Sequence, residues 1–198
     1  MTPKDIYIFR HGETEWNKIG RCLGSEYDIP LNENGVQQAR NLASAMKRRK
    51  LDTIYTSPLL RAYQTAEFVN EFHQVPLLKY PGLTEMAYGD ASGLPRKEAE
   101  EKFGNVFSEW FGKDLKDSLE CGFPNGEAKG IFNDRIYKCI SSLSAQSSGD
   151  TIAIATHSGV IWNFFKYQLG ITIDKINYCE AHILKYTDGI FKYEGVCE

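Results

Sequence analysis

The chain has 198 residues, 25% of them charged and 42% hydrophobic, with a formal charge of −3. That balance suits one globular domain with a closed core, and it excludes a disordered chain, a coiled coil and a collagen-like repeat. A slightly acidic total also argues against a nucleic-acid partner or an anionic membrane, although a sum over the chain hides local clusters.

Residues 1–10 contain an apolar run of only four, Ile6 to Phe9. No secretory core fits there, and no stretch approaches the ~18 apolar residues of a membrane span. Five cysteines, Cys22, Cys121, Cys139, Cys179 and Cys197, form no C-x-x-C pair. Reduced thiols and a cytoplasmic location are the expectation.

Taken in order, Ile6 to Phe9 reads as a buried strand. Residues 33–48 carry Val36, Ala39, Leu42, Ala43 and Met46 at helical spacing, with Lys47-Arg48-Arg49-Lys50 as a cationic last turn. Asp52 to Thr56 reads as a second strand, and Pro58 opens a helix through Leu59, Ala62, Tyr63, Ala66, Val69 and Phe72. Pro81 to Pro95 reads as loop, residues 96–111 as helix, residues 112–125 as irregular and residues 127–144 as a further helix. Thr151 to Thr156 is a third buried strand, Val160 to Leu169 a helix, and His182 to Tyr193 a closing hairpin around Asp188-Gly189. Strands alternating with helices predict an α/β layered fold, with helices on both faces of the sheet.

Two buried strands end alike: one runs into Arg10-His11-Gly12, the other into Thr156-His157-Ser158-Gly159. Ligands of open α/β sheets bind beyond the carboxyl ends of the strands. Both histidines exit there, each followed closely by a glycine. Arg61 lies one turn into the helix after the second strand, where a cation opposes the helix dipole and needs an anionic partner. A phosphate between Arg10, Arg61 and the two imidazoles supplies one. His73 reads as solvated and His182 as structural. Phe107-Trp110-Phe111 and Trp162-Phe164-Phe165 read as core or pocket wall.

The string Arg10-His11-Gly12-Glu13-Thr14-Glu15-Trp16-Asn17 resembles the signature of the histidine phosphatase superfamily, the phosphoglycerate-mutase-like fold. Four further segments resemble that family in the same order: Asp28-Ile29-Pro30-Leu31-Asn32-Glu33-Asn34-Gly35, Ser57-Pro58-Leu59-Leu60-Arg61-Ala62, Leu83-Thr84-Glu85, and Thr156-His157-Ser158-Gly159. The resemblance implies a three-layer domain over 1–198, with a mostly parallel sheet and a small cap inserted at about 94–130. It also implies phosphoryl transfer with no cofactor or metal. His11 is then the nucleophile, and Glu85 the acid and base. His157, Arg10, Arg61 and Asn17 bind the phosphoryl group, Gly24 and Tyr88 are possible substrate contacts, and Glu13 and Thr14 give support.

Departures from the family decide between reactions. In the bisphosphoglycerate-dependent mutases an arginine and a histidine follow the acid glutamate; here Met86-Ala87 do. The cap holds only Arg96 and lysines 97, 102, 113, 116 and 129, and no basic tail follows Val196-Cys197-Glu198. Hydrolysis of a small phosphorylated metabolite is therefore favoured over mutase chemistry. From the phosphatase branch the chain departs at Ala91-Ser92-Gly93 and in a lengthened loop, Cys22-Leu23-Gly24-Ser25-Glu26-Tyr27. Two other classes stay open: a metallohydrolase built from the histidines with Asp28, Glu13 or Glu85, and a weakly active module that binds a phospho-ligand.

Overall fold

The computed structural model describes residues 3–111 and 119–197. Lys113 and Lys116 of the expected cap, with residues 112–118 of the stretch expected to be irregular, lie outside the described residues. Six strands form one mixed sheet in the order β3-β2-β4-β1-β5-β6. The parallel part comprises β1 (Lys4–Arg10), β2 (Thr53–Thr56), β3 (Leu77–Lys79) and β4 (Thr151–Thr156). The antiparallel pair β5 (Ala181–Thr187) and β6 (Ile190–Val196) completes the edge beside β1. Asp188-Gly189 close that hairpin with φ of 50° and 88°, as a two-residue primed turn requires.

Alternation along the central strands divides the core. Ile6 and Ile8 of β1, with Ile152 and Ile154 of β4, face α5 (Lys129–Gln146) and α6 (Ser158–Phe164) through Phe132, Ile136, Ile140, Val160 and Phe164. Tyr7 and Phe9, with Ala153 and Ala155, face α2 (Glu33–Met46) and α3 (Leu60–His73) through Leu42, Met46, Ala66 and Val69. A continuous apolar run is what a strand covered on both faces demands. Between them stand the three layers that the alternation of strands and helices predicts.

Local chemistry sets the helix ends. Thr14 and Asn17 form a capping box at α1 (Glu15–Lys18). Asn32 caps α2 by accepting from Gly35 N–H at 2.8 Å, and Asp28 Oδ1 accepts from Leu60 N–H at 2.6 Å at the head of α3. The segment from Asp28 to Gly35 thus fastens two helix starts around the loop that follows β1. Gly35 has no alternative there: a Cβ would stand 2.0 Å from Glu13 O.

Several boundaries differ from the sequence expectation. Helix α3 starts at Leu60, two residues past Pro58, because Leu59 is still extended. The cluster Lys47-Arg48-Arg49-Lys50 follows α2 instead of forming its last turn, since the helix stops at Met46. Helix α4 (Arg96–Phe111) is broken at Gly104, whose φ of 45° leaves the helical region. Helix α6 passes at Phe165 into a wider π-type turn ending at Gly170. His73 is half-buried, its Nε2 shielded from water, so it is not the solvated residue expected. His182 is buried in β5, and none of the five cysteines is in a disulfide. No helix among the described residues is long and apolar enough to cross a membrane.

Candidate active site

Strand register brings the two histidines together. Arg10 of β1 pairs with Thr156 of β4, and His11 N–H donates to Thr156 O at 3.0 Å, so His11 and His157 leave neighbouring strands at one level. Their ring centroids are 5.1 Å apart. On the other side of β4, Ser57 N–H donates to Ala155 O at 3.0 Å and places Ser57 Oγ 2.8 Å from His157 Nε2.

The hydrogen bonds assign the first tautomer. His11 Nδ1 lies 2.7 Å from Gly12 O, and a carbonyl only accepts, so Nδ1 carries the proton. Neutral His11 therefore holds its lone pair on Nε2. Burial, reinforced by Arg61 and Arg10, pushes the His11 pKa well below the ordinary imidazole value. Burial does the same to His157, with Arg61, His11 and Arg10 adding to it. Both rings are neutral near pH 7, the state in which an imidazole is nucleophilic.

Both arginines are held in place from behind. Arg61, fully buried, donates from Nη1 to Tyr27 O at 3.1 Å and from Nη2 to Gly24 O at 3.0 Å. Desolvation lowers its pKa to about 10, which leaves it charged at neutral pH. Arg10 donates from Nη1 to Ile176 O at 2.9 Å, and its guanidinium stacks 3.7 Å from the centre of the Tyr178 ring. Neither Arg10 Nε nor Arg61 Nε has a partner, and neither does His157 Nδ1; all three are buried. Buried polar groups are ordinarily satisfied, so three without partners, on the two arginines that act on His11 and on the imidazole next to it, mark a place for an acceptor-rich ligand.

Glu85 is buried against α6. Its Oε2 accepts from Gly159 N–H at 3.0 Å and its Oε1 from Met86 N–H at 3.1 Å. A Cβ on residue 159 would lie 2.2 Å from Glu85 Oε1, so only glycine admits the carboxyl group here. Burial raises the Glu85 pKa despite those bonds and the two arginines. A carboxyl group that keeps its proton beyond the ordinary range can donate it.

The remaining expected residues take varied positions. Asn17 Oδ1 accepts from Thr14 N–H at 3.2 Å and from Thr14 Oγ at 3.0 Å within the capping box. Gly24 is buried, with its carbonyl bound to Arg61. Tyr88 is buried among Trp110, Phe111 and Phe123. Glu13 accepts from Asn32 Nδ2 at 2.9 Å and Asn34 Nδ2 at 3.2 Å, and Thr14 caps α1. Met86, fully buried, belongs to the core.

Both departures from the phosphatase pattern meet in one contact. Glu26, from the lengthened loop, accepts from Gly89 N–H and Ser92 Oγ, while Ser25 N–H donates to Met86 O at 3.1 Å. The loop that holds Arg61 through Gly24 and Tyr27 thereby also holds the segment that follows Glu85. Sequence reasoning missed Glu26 and Tyr178, neither of which stands in a segment that resembles the family. A cavity of about 360 Å³ opens from Arg10 and Gly159 between Tyr88, Trp110, Phe111 and Trp162, and its lining includes Arg96, Asn163, Asp174, Lys175 and Ile176.

Among the described residues no group of three or more His, Cys, Asp and Glu is arranged to hold a metal ion. The sequence matches the histidine phosphatase superfamily (branch 1) over residues 6–197. It is 32% identical over 156 residues to the uncharacterized phosphatase PhoE of Bacillus subtilis, covering 79% of this chain and 72% of that protein. Phosphoserine phosphatase 1 of Hydrogenobacter thermophilus is 29% identical over 200 residues, covering 97% of this chain and 92% of its own length. The crystal structure of phosphoglycerate mutase from Bacillus anthracis shares the fold, with a TM-score of 0.89 at 23% identity, over 99% of this chain and 93% of that one. The chain belongs to branch 1 of the histidine phosphatase superfamily and is an enzyme of the phosphatase type.

Proposed function

We propose that the protein hydrolyses small phosphomonoesters without a metal ion, through a phosphohistidine on His11. The observation that carries this reading is that three buried nitrogens, Arg10 Nε, Arg61 Nε and His157 Nδ1, have no partner, while both guanidiniums act on His11 and the His157 ring centroid lies 5.1 Å from that of His11. A phosphoryl group has oxygens for all of them. Charge spreads over those oxygens during transfer, so fixed cations supply most of the catalysis.

His11 Nε2 attacks phosphorus; the P–N bond forms as the ester P–O bond breaks. Glu85 gives its proton to the departing alcohol oxygen. The resulting carboxylate then takes a proton from water, whose oxygen attacks phosphorus and returns the electron pair to His11 Nε2. Ser57 Oγ accepts from Leu59 N–H at 3.3 Å. With its own proton donated to His157 Nε2, it leaves His157 Nδ1–H as a donor to the phosphoryl group.

Hydrolysis is favoured over mutase chemistry because Met86 is buried in the core and offers nothing to a substrate carboxylate. A phosphoserine phosphatase among the relatives supports a small phosphorylated metabolite as substrate. The test is p-nitrophenyl phosphate hydrolysis with and without a chelator. Unchanged rates are expected, together with loss of turnover in His11→Ala. Activity that vanishes with chelator supports the metallohydrolase instead, and phosphate affinity without turnover supports the binding module.

A further inference from the structure

Asn163 is unlike the other polar residues of the cavity. It is 2% exposed, lies one turn beyond Gly159 on α6, and donates from Nδ2 to Gly159 O at 2.8 Å. Because that carbonyl can only accept, the bond fixes the orientation of the amide and leaves Oδ1 as the other atom. Asn163 Oδ1 is buried and has no hydrogen-bond partner. The same Gly159 donates its N–H to Glu85 Oε2. Asn163 and Glu85 are thus tied to the same residue, Gly159, through its carbonyl and its N–H, and Asn163 and Gly159 both line the cavity.

Two cations besides Arg10 share the cavity wall with it. The Arg96 guanidinium lies 4.1 Å from the centre of the Phe111 ring, and Lys175 lines the cavity near Ile176. Asp174 lines it as well.

Building on the phosphatase reading, we infer that Asn163 is a specificity-determining residue, selecting phosphomonoesters whose alcohol bears a hydroxyl or ammonium donor beside the ester carbon. Arg96 and Lys175 select a second anionic group further along the same alcohol. The donor bonds to Asn163 Oδ1. That oxygen is already buried and unpaired in the free enzyme, so an alcohol that brings a donor gains a hydrogen bond that one lacking it cannot make, worth more than an ordinary surface hydrogen bond. The anion is read at a more exposed position and contributes less.

The experiment compares phosphate release from four esters of one chain length by the full chain: n-propyl phosphate, glycerol 3-phosphate, 3-phosphopropionate and 3-phosphoglycerate. The wild type is expected to favour the hydroxylated member of each pair by roughly tenfold to hundredfold in kcat/KM. It is expected to favour the carboxylated member by about threefold to tenfold, less so at high salt. Asn163→Leu should erase the first preference, read as the ratio of kcat/KM for the two members of each pair; Arg96→Ala with Lys175→Ala should erase only the second. The ester series needs no variant, so it stands even if Asn163→Leu does not fold. Equal rates on n-propyl phosphate and glycerol 3-phosphate overturn the role of Asn163. Equal rates on esters with and without carboxylate overturn that of the cations. Release from none of the four, nor from p-nitrophenyl phosphate, overturns the hydrolase reading itself.

Discussion

The two ends of the central strands β1 and β4 are built on opposite terms. At the amino ends the charged groups have partners: Asp52 Oδ2 accepts from Asp150 N–H and Thr151 N–H, each at 3.0 Å, and Lys185 Nζ lies 3.1 Å from Asp5 Oδ1. At the carboxyl ends Arg10 Nε, Arg61 Nε and His157 Nδ1 are buried without partners. Desolvation lowers the pKa of both arginines, which is the mark of a charge kept away from water. One end therefore stabilises the fold. The other is held ready for a ligand at a cost in stability, a division expected where function and folding compete for the same residues.

That contrast can be broken first at Glu85. Glu85→Gln should lower kcat on an alkyl phosphate by about 10²–10⁴-fold and less on p-nitrophenyl phosphate, whose leaving group needs little proton assistance. The pH dependence has a definite sign. His11, with its pKa depressed, loses its nucleophile only as pH falls through that lowered value. Glu85, with its pKa raised, loses its proton as pH rises through the raised one. The pre-steady-state rate of alkyl phosphate cleavage should peak between them, and Glu85→Gln should abolish the alkaline limb. A limb that persists in the variant assigns it to another group.

Arg61 gives the next effect. Arg61→Lys keeps the charge and removes the planar fork, so kcat should fall by about 10²–10³-fold. Inorganic phosphate should raise the Tm of the wild type, by about 2.7 kcal/mol of stability at a hundred times its Kd. The same titration should move the variant far less. An equal shift in both proteins places the phosphate elsewhere.

The amino end offers the smallest and sharpest contrast. Asp52→Ala removes two charge-assisted bonds and should cost about 1–2 kcal/mol in urea unfolding, with kcat unchanged. Its native carboxyl pKa is lowered, chiefly by the Thr151 N–H bond. Its contribution is therefore present above the unfolded pKa and lost as pH falls through the native one. A kcat that drops with stability would show the two ends to be one cooperative device.

Much of this was legible because the decisive residues follow strands. A buried strand that ends in histidine and then glycine announces both its own position and that of the ring, and Arg61 is readable as a cation misplaced at a helix start. Strand β3 escaped notice because it has three half-exposed or exposed residues at the sheet edge and no alternation. The four-residue α1 is too short for periodicity, and it is the capping box of Thr14 and Asn17 that shows it. Asn163 and Tyr178 escaped for another reason. Their significance lies in an unpaired oxygen and a stacked ring, which exist only once distant segments meet. Glu26 gave a partial signal, since the loop carrying it was seen to be long before its contacts with Gly89 and Ser92 gave that length a purpose.

The most direct test of the account is rapid acid-free quenching during turnover, followed by mass spectrometry of the intact chain and its peptides. One transient, acid-labile phosphoryl group is expected on His11, absent in His11→Ala and longer-lived in Glu85→Gln when a nitrophenyl ester is the donor. Steady turnover with no phosphorylated chain, or with the group on His157 instead, would contradict it.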